Sequence, residues 1–131
     1  MLFGLLSGNM WVYPKKISQG WDSTLAHLPW YGLIENAQDY LQKENIDLKK
    51  TGTAFPNIGP RKWYELNGRT VGFKEKDFSK DCFILYSNIM NDFSDAQIDE
   101  LENKWTIIYE EIKSGVCLII YKNPNIELCG N

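Results

Sequence analysis

The sequence predicts an α/β domain: a mixed, mainly parallel five-stranded sheet with flanking helices and a C-terminal β-hairpin. Three observations predict it. Apolar residues recur at helical spacing over residues 29–44, and the nearly continuous apolar run Cys82–Ile89 is followed by a well-signalled helix start. Near the C-terminus, Lys113-Ser114-Gly115 separates two strand-like runs.

From Pro29, the residues Trp30, Leu33, Ile34, Ala37, Tyr40 and Leu41 fall at spacings of three and four, one face of a helix over 29–44. Pro29 suits its first turn, Asp39 and Lys43 pair at i,i+4 on the wet side, and Asn45 offers a left-handed stop before Ile46. Lys49–Phe55 carries Thr51 and Thr53 and is closed by Pro56, which reads as the first strand. Residues 57–68 admit two readings. Pro60 opens a short helix over 60–66 that Asn67-Gly68 ends, or Asn67-Gly68 turns a hairpin; the helix is preferred because it continues the alternation of strand and helix.

Val71–Phe73 is the second strand and Lys74–Asp81 a charged surface loop. Cys82–Ile89 is the third strand, covered on both faces. Ser94 as N-cap with Gln97 forms a capping box, Phe93 and Ile98 a hydrophobic staple, and Ile98, Leu101 and Trp105 an inward stripe. Thr106–Ile112 and Val116–Tyr121 are the fourth and fifth strands. The expected sheet order is 2-1-3-5-4. Val116–Tyr121 lacks alternation and belongs inside the sheet, antiparallel between the third and fourth strands, while Glu110-Glu111 suit an edge.

With 131 residues, 44% hydrophobic content and a net charge of −3, the chain is long and apolar enough for one core and lacks the basic stripe of a nucleic-acid binder. Its expected organisation is a membrane-proximal aromatic segment (1–22), one α/β domain (23–123) and a C-terminal tail (124–131). Met1–Tyr13 carries no charge before Lys15 and is too short to span a bilayer. It folds into the core, or it trails from a membrane helix. Trp11, Tyr13, Lys15, Lys16 and Trp21 are then the membrane-interface residues, since amphipathic rings and snorkelling lysines suit the headgroup layer. Cys82 and Cys117 lie in apolar runs and read as buried, unbridged cysteines, Cys129 as exposed. A Cys117–Cys129 bridge in an oxidising compartment stays open.

No dinucleotide, P-loop, nucleophile-elbow or zinc motif occurs, so no cofactor, metal or catalytic residue is expected. His27 has no spaced ligand partner. Asp92, Asp95, Asp99, Glu100 and Glu102 suit a helix N-terminus and its wet face rather than a carboxylate site. The loops after the first and third strands lie where open α/β sheets place ligands, which makes Asn57, Gly59, Asn88 and Asn91 the candidate ligand-binding residues.

Residues 13–29 (Tyr-Pro-Lys-Lys-Ile-Ser-Gln-Gly-Trp-Asp-Ser-Thr-Leu-Ala-His-Leu-Pro), Thr51–Asn57 and Tyr86–Asp95 resemble the C-terminal soluble region of bacterial integral membrane proteins. Those are similar to dolichyl-phosphate-mannose mannosyltransferases, of the GT-C glycosyltransferase type. The resemblance implies a periplasmic, extracytoplasmic accessory domain of a polytopic membrane protein, non-catalytic by itself. Its partners would be the transmembrane part of its own parent chain and the membrane surface, with an acceptor or lipid-linked sugar as ligand. In such enzymes the metal-binding or catalytic acid lies in an early extracytoplasmic loop between membrane helices that no position here matches. The rival expectation is a free-standing soluble α/β protein, a small-ligand binder or small enzyme with its crevice after the strand C-termini.

Overall fold

The computed structural model describes residues 27–60, 62, 70–89 and 92–125. In chain order they form α1 (His27–Lys43), a 3-10 turn (Leu48–Lys50), β1 (Thr51–Thr53), β2 (Gly59–Pro60), β3 (Gly72–Glu75) and β4 (Phe83–Ser87). Then come α2 (Asp95–Lys104), β5 (Thr106–Lys113) and β6 (Val116–Lys122). The aromatic segment 1–22, Asn91 and the tail from residue 126 lie outside the described residues.

The strands form one mixed sheet of order β2-β3-β1-β4-β6-β5 among the described residues. The expected order 2-1-3-5-4 is found in the five longer strands, but the sheet has six strands, not five. Nor is its pairing mainly parallel: β1 pairs parallel with β3 and β4, whereas β2–β3, β4–β6 and β5–β6 are antiparallel. Of the helix expected over 60–66, residues 61 and 63–66 lie outside the described residues; Pro60 itself is not helical. It stands in β2, where Gly59 and Pro60 pair with Phe73 and Gly72. At the sheet edge a strand can accommodate proline, whose missing N–H costs no interior ladder bond.

Successive strand residues face opposite sides and build two cores. On the first, Trp30, Leu33, Ile34, Ala37 and Leu41 of α1 pack on Phe73, Leu85, Val116, Leu118 and Ile120. On the second, Ile98 and Leu101 of α2 with Phe93 and Trp105 pack on Ile84, Tyr86, Cys117, Ile119 and Tyr121. β6 contributes to both cores, hence its unbroken apolar run, and every such buried side chain contributes roughly 2 kcal/mol.

Local signals close the elements. α1 ends in a Schellman motif: Asn45 is left-handed (φ 57°), its N–H donates to Gln42 O, and Ile46 N–H donates to Leu41 O. The capping box of α2 is present, with Ser94 Oγ accepting from Gln97 N and Gln97 Oε1 accepting from Ser94 N. Ser114 and Gly115, both at positive φ, make the two-residue turn between β5 and β6. After β1, Asn57 N–H donates to Ala54 O at 3.0 Å around a cis Phe55-Pro56 peptide, and the chain doubles back into β2.

Residues 76–82 cross β1 to join β3 to the parallel strand β4, a connection much shorter than a helical crossover. Gly52 makes this possible. A side chain there would strike the Asp81 carboxylate and the Lys76 backbone, so the loop lies directly on the sheet.

Cys82 is disulfide-bonded, which corrects its reading as an unbridged cysteine, whereas Cys117 is a buried thiol. The apolar run around Cys82 does not seal it: the residue is only half-buried at the mouth of β4. Cys129, the third cysteine of the chain, lies outside the described residues.

Candidate functional site

The parallel strands β1, β3 and β4 end on one side of the molecule, and the chain leaves β1 and β4 in opposite directions across the sheet. Ligands of open α/β sheets gather at such a place. Asn57 is buried in the turn after β1. Gly59 lies two strands away at the outer edge, with its carbonyl against Gly72 so closely that no side chain fits there.

Asn88 lies on the β6 side of β4 and is wholly buried. Its Nδ2 donates to Gly115 O at 2.9 Å and its Oδ1 accepts from Cys117 N at 2.9 Å. The amide thus continues the ladder past the end of β4, fastening the β5–β6 turn to it. Along the sheet, Gly59 in β2 and Asn88 after β4 stand three strands apart, and Asn57 lies in the turn after β1.

A concavity lies beside the crossover, between its first residues and α2. Glu75, Lys76, Asp77, Phe78, Ser79, Gln97 and Glu100 line an open groove of about 650 Å³. Phe78 is its apolar floor and joins an edge-to-face chain of rings, 5.7 Å from Trp105 and 6.4 Å from Phe93, which is itself 5.4 Å from Tyr86. Lys76, whose side chain is mostly buried, holds its ammonium 4.9 Å above the Phe93 ring and 4.0 Å from the exposed Asp92 carboxylate.

Asp77 sits at the rim, where its Oδ1 accepts from Ser79 Oγ at 2.6 Å and Ser79 N at 3.0 Å. The Ser79 hydroxyl first, then the Ser79 N–H, and then Lys80 hold its carboxyl below the usual carboxylate range. Nothing local distinguished this loop from an ordinary charged one. Its shape depends on Gly52, more than twenty positions earlier.

Among the described residues, no three His, Cys, Asp or Glu side chains stand close enough to hold a metal ion. The groove offers the carboxylates of Glu75, Asp77 and Glu100, the Gln97 amide, the Ser79 hydroxyl held by Asp77, one ammonium and one ring face. Asp92, Asp95, Asp99 and Glu102 are exposed and Glu100 half-buried, on α2 or its approach, where the sequence reading put them.

Compared with known protein families, curated proteins and solved structures, the chain matches none.

Proposed function

We propose that the chain is an extracytoplasmic, membrane-proximal accessory domain of a polytopic, glycosyltransferase-like membrane protein, non-catalytic by itself. The observation that carries the reading is the disulfide at Cys82, because structural disulfides persist on the oxidising side of a membrane and are rare in the cytosol. The aromatic segment holding Trp11, Tyr13, Lys15, Lys16 and Trp21 supplies the membrane proximity, and the family-like strings at 13–29, 51–57 and 86–95 supply the parent. No helix among the described residues is long and apolar enough to cross a membrane, so this reading leaves the spans to the parent chain. The groove beside the crossover is where an acceptor or lipid-linked sugar would be held, its hydroxyls facing Glu75, Asp77, Gln97 and Glu100 and its apolar face on Phe78.

The test is a topology reporter fused behind Asn131 in the full parent reading frame. The account expects an alkaline phosphatase fusion to be active and a green fluorescent protein fusion to be dark. The reverse pattern overturns it. The same groove also favours a second reading, a small-ligand binder unconnected to any membrane, which predicts no hydrophobic spans in the parent frame.

A further inference from the structure

α1 runs antiparallel to β5. Asn36 Nδ2 donates to both Glu111 carboxylate oxygens at 3.1 Å, and one turn later the Tyr40 ring packs 4.9 Å from that of Tyr109. The N-terminus of α1 therefore lies at the end of the molecule where β5 finishes, and β5 runs in the same direction as β1 and β4. Phe55, at the tip of the turn after β1, shares that end.

Among the described residues six large apolar side chains are exposed, and they are unevenly placed. Leu28 (62% exposed), Tyr31 (43%), Phe55 (55%) and Ile112 (51%) belong to this end, while Val71 and Ile107 stand at the starts of β3 and β5, the opposite end. Residues 1–26, which include Trp11, Tyr13 and Trp21, join α1 here as well.

We infer that this end of the domain rests on a lipid bilayer surface through Leu28, Tyr31, Phe55 and Ile112. The inference deepens the membrane-proximal reading and rests on it. Apolar side chains gathered at one end, continuous with a segment of interfacial composition, suit the headgroup boundary. Charge sets the mode of contact. The chain carries −3 overall, and Glu75 and Asp92 are exposed at this end alongside Lys113, so attraction to anionic lipid is not the driving force. Insertion is apolar and needs no anionic headgroup.

The test is flotation of the full 131-residue chain with phosphatidylcholine vesicles at low and high salt. The wild-type chain is expected to float in both. The triple variant Leu28→Ser, Phe55→Ser, Ile112→Ser should bind about tenfold more weakly or worse, and the pair Val71→Ser, Ile107→Ser within about twofold of wild type. Near-UV circular dichroism checks the fold. Should the triple variant not fold, Leu28→Ser and Phe55→Ser singly are expected to weaken binding about threefold each. Equal binding by the triple variant overturns the inference, as does absence of wild-type binding.

If binding survives the triple variant but is lost when Trp11, Tyr13 and Trp21 become Ser, this surface is wrong and the membrane-proximal reading stands. A triple variant that loses thermal stability while still binding shows the face to be covered by the chain's own residues 1–26, which also overturns the inference. A cytoplasmic reporter result overturns the reading beneath it.

Discussion

The Asp81 carboxylate occupies the space above Gly52 that a β1 side chain would otherwise fill. It is completely buried there, accepts from Asp77 N–H at 2.7 Å and forms an ion pair with Lys74, whose strand position is opposite Gly52. A buried charge is tolerated because Oδ2 accepts from the Asp77 N–H and Oδ1 faces the Lys74 ammonium as an ion pair. The seven-residue crossover, the groove beside it and the placement of β4 all depend on this packing of a carboxylate on a bare backbone.

Gly52→Ala should therefore destabilise the fold by about 3 kcal/mol, because its methyl group meets a buried carboxylate and backbone that cannot both retreat. Urea denaturation measures this. A change below about 0.5 kcal/mol, the range of an ordinary surface substitution, would show that the loop yields easily. Asp81→Ala tests the same packing from the other side and should cost about 3 kcal/mol by leaving the Asp77 N–H and the Lys74 ammonium without their partner.

Asn88→Ala removes a donor and an acceptor from two buried backbone groups, Gly115 O and Cys117 N, and should cost about 2–3 kcal/mol. Asn88→Asp keeps the acceptor but turns a carboxylate oxygen toward the Gly115 carbonyl, so it should be no better. If both variants were as stable as wild type in thermal melts, the amide would not fasten the β5–β6 turn.

Much of this architecture is legible locally. Ser94 with Gln97 and Asn45 before Ile46 are signals a few residues long whose physics does not depend on the rest of the chain. The unbroken apolar run Val116–Tyr121 places β6 inside the sheet because only a strand covered on both faces uses such a run. What escapes is non-local. Asp81 reads as one more charge in Lys74–Asp81 until Gly52 and Lys74 are beside it, and Asn88 reads as a loop amide until Gly115 and Cys117 approach. A two-residue strand such as Gly59–Pro60 has no periodicity to detect.

Alkaline pH should unfold the domain through the buried Tyr86 and the half-buried Tyr109. The Tyr86 phenol is pushed above its ordinary value of 10.0 by burial first, then by the charges of Cys117, Tyr121 and Glu102. Tyr109 is pushed up by burial, then by its hydrogen bond to Glu111 at 2.5 Å and the charge of that carboxylate. The folded state thus favours the protonated phenols. Their contribution to stability is fully present below the unfolded value near pH 10 and is lost as the pH rises through the higher folded values. Tyr86→Phe should flatten the fall of stability above about pH 10. An unchanged slope of unfolding free energy against pH would remove Tyr86 from this account.

The most direct test of an extracytoplasmic domain is the state of Cys82 in the cell. With thiols blocked at lysis, peptide mass spectrometry of the full parent protein should find Cys82 in a disulfide, with Cys129 as the one other cysteine that Cys117 leaves available within the chain. Cys117 should be modified only after denaturation, being buried among Tyr86, Ile119 and Tyr121. Cys82 recovered as a blocked thiol would contradict the account, because it would place the domain in a reducing compartment and remove the observation on which the extracytoplasmic reading rests.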